Sequence, residues 1–589
     1  MKKSLLLFIS FLKKKIEYKT FIVLASVIVG ILSGLAAVLL KKLVYFFQQE
    51  PRIFIDGLGL KFILPLTPLI GILLSVLIVN LLFGGKIEKG LSHIIYLIIR
   101  QKADVPRRKI ISHLLTSGIT IGTGGSAGLE APIVVIGASI GSNLSKGFKL
   151  NYQTRTLLLA CGSAAGISAI FNSPIAGVIF AFEVLLPEIT VSSFIPLLIA
   201  SASSAVLSKF LYSGQLFYLV TEGWHLYAIP FYILLGIICG LISLYVIKIS
   251  FLLDKWAESF KKQYSKAIIG GILLCCLIYF FPPLFGEGYS SIIKILAGNH
   301  NQLLDNSFFN SFPDKDLSLI IFVTLIIFTK VIATSLTIGS GGNGGIIAPS
   351  LFVGALTGLL LAHTMKYFGV AELNYQNFIV VGMAGVLCGV LHAPLTGIFL
   401  IAEITGGYTL IVPLMIVTAL SFFISKYFHP HSIYTTSLAE KGIKFRSEKE
   451  KYFNQQLKVS DLVESDFLIL KPGTTLKELV KKIPLTKRNL FPVVDEKKKL
   501  IGVITLDDIR EVMLDFEAHN VILIDDIMSP NFKAINLNED INKAIEIFEE
   551  SQVWNLAVTD RDEYVGFISK SNIFNKYISI WSSGQKEQI

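Results

Sequence analysis

Charge is what this chain has least of. Only 16% of its 589 residues are Asp, Glu, Lys or Arg, where soluble proteins carry about 25%. That excludes an ordinary water-soluble domain as the main body. The five cysteines (Cys161, Cys239, Cys275, Cys276, Cys388) lie in apolar segments without metal-type spacing, so packing is their expected role. The nine histidines are scattered and none stands in an HExxH arrangement. No nucleophile–base pair or set of metal ligands marks the spans, so neither an enzyme nor a metal site is expected. Basic residues interleaved with aromatics on a soluble face are also missing, which argues against a nucleic-acid partner. The opening MKKSLLLFISFLKKK has no small-residue cleavage site and is charged on both sides, so a cleavable signal peptide is not expected.

What is there is apolar. Hydrophobic residues make up 53% and the mean hydropathy is +0.65. The runs Phe21–Leu40, Phe62–Leu82, Phe231–Ile249, Ala267–Phe281 and Leu317–Phe328 bracket the length that spans a bilayer. Many are interrupted by Gly or Pro. Short basic loops tend to stay cytoplasmic. Lys2, Lys3, Lys13, Lys14 and Lys15, then Arg107, Arg108 and Lys109, then Lys255, Lys261, Lys262 and Lys266 therefore set the orientation, with the N-terminus inside. The net charge of +11 reads as topology and contact with the lipid bilayer.

One charge breaks the pattern. Residues 124–142 read GGSAGLEAPIVVIGASIGS, and Glu130 is the only charge among them. Pro132 suits the first position of a helix. A carboxylate here would stand at a helix N-terminus, where backbone N–H groups lack intrahelical partners and the dipole is positive. Such a place holds an anion, tethered or free. An ionisable group at membrane depth points to function; the plainer alternative is a glutamate tied off by a Lys or by backbone donors.

The membrane part repeats itself. GSAAGISAIFNSPIAGVIFAFE starts at Gly162 and GMAGVLCGVLHAPLTGIFLIAE at Gly382. Gly162/Gly382, Ala164/Ala384, Pro174/Pro394, Gly177/Gly397 and Glu183/Glu403 are each 220 positions apart. GLEAP at 128–132 likewise answers GIIAP at 345–349. Two like halves with short, broken helices predict an inverted-repeat transport protein with its site near the midplane.

GLEAP, the GSAAG…FNSPIAG…FE stretch, GSGGNGGIIAPSLFVGALTG at 339–358, APLTG…AE at 393–403 and HPHSIYTTSLAEKG at 429–442 together resemble the CLC chloride channel and transporter family. The resemblance runs from the first span to about residue 445. It implies a homodimer whose subunits each have their own chloride path. It implies a gate at Glu130, anion-coordinating backbone amides around Gly128, Leu129, Ile346 and Ile347, and a hydroxyl from Tyr434 on the central anion. Physics agrees. A dehydrated anion at the midplane must recover several kcal/mol from fixed donors, since a charge there costs roughly 2.5–3.5 kcal/mol even on insertion scales. Converging helix N-termini supply partial positive charge and still let the ion leave. Gly128, Gly344 and Gly345 let the backbone approach it. Ionised, Glu130 would occupy an anion position; protonated, it would swing away.

Two positions depart from the family pattern. Where the family commonly has Gly-Ser-Gly-Ile-Pro, this chain reads EKGLSHIIYLI at 88–98. Lys89 falls at the serine and Ser92 at the proline. Lys89 either strengthens anion attraction at the cytoplasmic mouth or extends to the headgroups; a register shift placing Ser92 near the ion is a third reading. In proton-coupled members a second glutamate often follows the one ending the FNSPIAG helix. Here Glu183 is followed by Val184, which carries no proton. Glu183, repeated as Glu403, is expected to be structural and bonded to backbone. The expected function is therefore a gated, passive chloride channel of voltage-gated type, with a proton-coupled chloride exchanger as the alternative.

The composition changes after residue 445. Residues 446–457 form a polar linker. FPVVDEKKKLIGVITLDDI at 491–509 and NLAVTDRDEYVGFISKSNI at 555–573 read strand, turn, strand, helix start. They resemble tandem CBS domains, at 458–516 and 521–582. Thr505, Asp508, Ser569 and Asn572 match positions that in ligand-binding CBS pairs contact an adenine nucleotide such as ATP, ADP or AMP; helix caps explain the same residues without a ligand. No other cofactor is called for. The predicted fold is thus a mainly α polytopic membrane protein of inverted-repeat type, carrying a cytosolic α/β CBS pair.

Overall fold

The computed structural model describes residues 17–57, 61–85, 90–100, 103–186, 191–212, 223–305, 307–441, 458–515, 517–551 and 553–576. The N-terminal lysines before the first span, Lys89 and the whole linker 446–457 lie outside them. The chain divides into two compact units, Met1–Phe445 and Arg446–Ile589.

The first unit is helical. Among the described residues nine helices are long and apolar enough to cross a membrane. Three shorter apolar helices accompany them: Pro174–Leu185, Tyr375–Leu391 and Pro394–Ile404. The helix Lys315–Gly339 runs well beyond the apolar stretch Leu317–Phe328 read from sequence. Lys330 ends the apolar run but not the helix, because its ammonium donates to Gly286 O (2.8 Å) and Leu284 O (3.3 Å).

The sequence repeat is a structural repeat. Helices Glu130–Gly147 and Tyr152–Phe171 pair in the first half; Ile347–Tyr367 and Tyr375–Leu391 pair in the second. Both pairs pack backbone against backbone. A Cβ on Gly137 would lie 2.0 Å from Gly162 O, and one on Gly354 would lie 2.3 Å from Gly382 O. Small residues are the usual means of such close approach in a membrane.

The two halves clasp each other through the repeated glutamates. The Glu183 carboxylate accepts from Leu395 N (3.0 Å), Thr396 N (2.7 Å) and Thr396 Oγ1 (2.6 Å). The Glu403 carboxylate accepts from Ile175 N (3.1 Å) and Ala176 N (2.8 Å). Each acid thus caps the short helix of the opposite half, Pro394–Ile404 or Pro174–Phe180, satisfying N–H groups that have no intrahelical acceptor. Glu183 itself sits in a π turn, Ala181–Leu185. The backbone-bonded role expected for it is what the structure shows.

The second unit holds a hairpin of β1 (Leu490–Val494) and β2 (Leu500–Thr505), and a sheet of β3 (Ala534–Asn536), β4 (Asn555–Asp560) and β5 (Glu563–Ser569). β1 and β2 are antiparallel, β3 runs parallel to β4, and β4 is antiparallel to β5. Leu470 bridges Val493 in parallel, as β3 bridges β4, so the two motifs share one plan. Val494, Leu500 and Val503 from the first pack with Ala557 and Phe567 from the second in one apolar cluster. The opening segment belongs spatially to the second motif: Val459 and Leu462 pack with Ile541, Phe548 and Leu556, and Glu464 pairs with Phe567.

Candidate functional site

The loops that precede the two repeated helices meet at a local two-fold. Thr337 Oγ1 accepts from Ser126 N (3.1 Å), and Thr120 Oγ1 accepts from Asn343 N (3.2 Å). Gly128 and Gly345 then exchange both backbone bonds, Gly128 N to Gly345 O (2.8 Å) and Gly345 N to Gly128 O (2.7 Å). Four hydrogen bonds between unlike segments hold the starts of helices Glu130–Gly147 and Ile347–Tyr367 face to face. This is the convergence expected of broken helices in an inverted repeat.

The symmetry stops at the next residues. Glu130 is the first residue of its helix; Ile347 holds the same place in the other half. Pro132 therefore stands two residues further into the helix than its preference for the first position suggested. Glu130 is fully buried. Its carboxylate folds back over Gly128, where an added Cβ would lie 2.0 Å from Oε2 and 2.8 Å from Ala348 Cβ. Oε1 accepts a 2.6 Å hydrogen bond from Tyr289 Oη. Among the described residues Oε2 has no partner at hydrogen-bonding geometry, although the Ala348 N–H lies near the carboxylate. The carboxylate thus lies across the N-terminus of the opposite helix, where a free anion would sit.

Not every expected amide is free. The Gly128 N–H, expected among the anion ligands, donates here to Gly345 O as part of the bridge between the repeats. The Leu129 N–H donates to Glu287 Oε1 at 3.2 Å, so in this conformation it too is taken. Ile346 and Ile347 are the cap and first residue of their helix, where N–H groups have no intrahelical acceptor.

A cavity of about 960 Å³ reaches these residues; Gly90, Leu91, Ser92, Gly345, Ile346 and Tyr434 are among its walls. The Tyr434 side chain is buried, and among the described residues its hydroxyl meets no partner. Its phenol is near enough to Glu130 to feel its charge. Ser92 lies in the first turn of helix Leu91–Ile99, on the same cavity. Arg100, Lys255, Lys266 and Lys441 line it too, alongside Asp254, Glu258 and Glu440. Lys255 pairs with Glu440 at 3.2 Å. Val184 is half-buried against the apolar core in the π turn, and that turn touches helix Leu91–Ile99. Lys89 lies outside the described residues.

Sequence reading missed Glu287 and Tyr289, which stand in the loop and helix start at 286–289. The available signal was the same as for Glu130: an acid between glycines, in FPPLFGEGYSS, amid apolar residues.

In the second unit, Thr505 and Asp508 satisfy one another. Thr505 N and Oγ1 both donate to Asp508 Oδ2 (2.7 Å each), and Asp508 N donates back to Thr505 Oγ1 (3.3 Å). Ser569 Oγ accepts from Asn572 N (3.0 Å), and Asn572 Nδ2 donates to Leu462 O (2.9 Å). These are helix-capping arrangements, complete without a ligand. Among the described residues no group of side chains is arranged to hold a metal.

Residues 70–426 match the family model described as voltage gated chloride channel, and residues 459–515 and 524–579 match that of the CBS domain. The chain is 31% identical over 310 residues to the H(+)/Cl(-) exchange transporter ClcA of Vibrio cholerae, covering 50% of this chain and 62% of that protein. It is 27% identical over 455 residues to chloride channel protein CLC-e of Arabidopsis thaliana, covering 67% of this chain and 61% of that one. Its fold matches that of a slow cyanobacterial Cl-/H+ antiporter with a TM-score of 0.62 at 22% identity, over 73% of this chain and 99% of the other. With the family model matched over more than half its length, and the glutamate-bearing inverted repeat built as described, the chain belongs to the voltage-gated chloride channel (CLC) family and carries two CBS domains at its C-terminal end.

Proposed function

We propose that this integral membrane protein conducts chloride passively, gated by Glu130. The observation that carries this is the Glu130 carboxylate, buried across the opposing helix N-terminus beside a cavity that presents the unpartnered Tyr434 hydroxyl. Ionised, the carboxylate fills the place of the anion; protonated or displaced, it leaves that place to chloride, held by the Ile346 and Ile347 amides and by Tyr434. Ser92 and the basic residues of the cavity would draw anions inward, and Lys89 would add to this from just before Gly90. In liposomes Glu130→Gln should raise chloride flux and flatten its pH dependence. A folded Glu130→Gln protein with an unchanged pH response would remove Glu130 from the gate.

The passive mode is favoured by the helix after Pro174. Val184 cannot titrate, and Glu183 is held by three donors of the opposite half. The exchanger is the second reading. Two of the similar proteins are named for chloride–proton exchange or antiport, and a proton on Glu130 would have Tyr289 as its first neighbour. Liposomes with an outward chloride gradient, followed with a pH electrode, decide between them. Uphill proton movement, abolished by an uncoupler, would establish the exchanger.

The unit is proposed to work as a homodimer in the bilayer. Val206 and Phe210 on helix Val191–Leu211, and Phe423 and Tyr427 on Ile411–Phe428, are apolar or aromatic and strongly exposed, as a lipid-facing or subunit-facing surface requires. The CBS pair, expected on the cytoplasmic side from the distribution of basic residues, would meet an adenine nucleotide only in competition with caps that are already complete. Calorimetry with ATP, ADP and AMP on the full chain tests this.

A further inference from the structure

Glu287 has no role in the reading above, yet it touches the gate. It occupies the loop between two glycines, Gly286 and Gly288, and is half-buried. Its Oε1 takes the Leu129 N–H at 3.2 Å, the donor one residue ahead of Glu130. The next residue but one, Tyr289, holds the Glu130 carboxylate. Lys330 and Lys41 lie close enough for their charges to act on Glu287. Both ammonium groups are anchored on carbonyls, Lys330 on Gly286 O and Leu284 O, and Lys41 on Ala169 O (2.9 Å). Neither Glu287 nor Tyr289 lines the 960 Å³ cavity that Tyr434 and Ile346 share. Glu287 thus meets the start of the Glu130 helix away from that cavity, in a field set by two fixed lysines, by Glu130 and by the phenol of Tyr289.

We propose that Glu287 is a second tethered occupant of the anion path: it holds the Leu129 N–H in this closed arrangement, and a small inorganic anion takes that donor and the field of Lys41 and Lys330 only as Glu287 leaves it. The proposal rests on the reading of Glu130 as gate. A bracing role is the simpler alternative, since any acceptor would satisfy one N–H group. What a brace does not require is an ionisable acid within reach of two buried lysines. With both carboxylates ionised the two lysines are balanced; with either displaced, an anion restores the balance.

Glu287→Gln separates the two, because it keeps a carbonyl oxygen for Leu129 N–H and removes the charge. Chloride titrated calorimetrically into the purified full chain should bind Glu287→Gln roughly thirtyfold more tightly than the parent, the order expected from removing a unit charge about 8 Å away at an effective dielectric near 20. The double variant Glu130→Gln/Glu287→Gln should bind chloride more tightly than Glu130→Gln alone. Unchanged or weaker binding in a Glu287→Gln protein that elutes like the parent would overturn the proposal. Glu287→Ser serves if the glutamine variant does not fold: tighter binding supports competition, unchanged or weaker binding overturns it. Failure of the gate reading would show separately, as an unaltered pH response of flux in Glu130→Gln.

Discussion

Gly128→Ala should open the gate without touching the gate residue. The backbone at 128 tolerates a side chain in its conformation, since Gly128 is absent from the positive-φ glycines. What stands in the way is the Glu130 carboxylate: the new Cβ would lie 2.0 Å from Oε2. Carbon and oxygen in contact keep about 3.3 Å apart, so the carboxylate must retreat by over an ångström. Its 2.6 Å bond from Tyr289 does not survive such a shift unless Tyr289 follows. A hydrogen bond to a charged partner is worth about 1.5–3 kcal/mol, which is roughly a ten- to hundredfold shift toward the displaced carboxylate. Ala348 Cβ, 2.8 Å from the added atom, has to give as well, which sets a limit on how cleanly the substitution acts. Chloride efflux from liposomes at neutral pH should rise, and its rise at low pH should shrink. The decisive arm is a cycle with Glu130→Ala. If Gly128→Ala works by evicting the carboxylate, it adds nothing where the carboxylate is already gone. Equal effects of Gly128→Ala with and without Glu130 would refute the reasoning and put its action on the Gly128–Gly345 bridge instead.

Other substitutions probe other parts. Tyr434→Phe removes the unpartnered hydroxyl and should weaken chloride binding by calorimetry roughly ten- to hundredfold, the loss of a hydrogen bond worth about 1.5–3 kcal/mol; unchanged affinity would put the hydroxyl off the path. Glu183→Gln leaves one carbonyl oxygen for three donors and turns an amide N–H toward another N–H; the unsatisfied group alone costs about 1–3 kcal/mol, so thermal stability in detergent should fall while chloride still moves without protons. A stable Glu183→Gln protein that had lost proton movement seen in the parent would make Glu183 a proton carrier rather than a clasp. Thr505→Ala should lower the stability of the CBS unit by about 0.5–2 kcal/mol as a lost cap, measured by chemical unfolding, whether or not nucleotide is present.

The repeat was legible because matched residues keep their spacing within a block: from Gly162/Gly382 to Glu183/Glu403 they stay 220 apart. The site-forming loops and helix starts are offset by 217 instead, as in Gly128 and Gly345. The three extra residues fall in the second half, between Tyr367 and Tyr375, where the first half turns from Gly147 to Tyr152. Glu130 stood out because charge is rare in an apolar run. Glu287 carried the same signal but lies outside the repeated blocks, and nothing local says that it reaches Leu129, 158 positions away. The commitment of the Gly128 amide was likewise invisible: an isolated two-residue bridge leaves no periodicity. Lys330 misled in the other direction, since a charge that ends an apolar run in sequence is satisfied inside the helix by carbonyls from a distant loop.

The framework of this site is symmetric and its chemistry is not, and the contrast says where selectivity of direction must come from. Thr120 and Thr337, Gly128 and Gly345, and Glu183 and Glu403 make matching bonds across the two halves. Such matched bonds fix two helix N-termini with equal claims on an anion. Only one half carries a carboxylate at its helix start; the other has Ile347. Tyr289 and Glu287 approach only the acid-bearing start, whereas the cavity with Tyr434 reaches Gly345 and Ile346 of the other. An anion therefore meets neutral donors on one face of the bridge and competing carboxylates on the other. On the proposed reading, a scaffold symmetric to within a hydrogen bond would become a one-sided gate by a difference at a single repeat position, Glu130 for Ile347, together with the loop that steadies it.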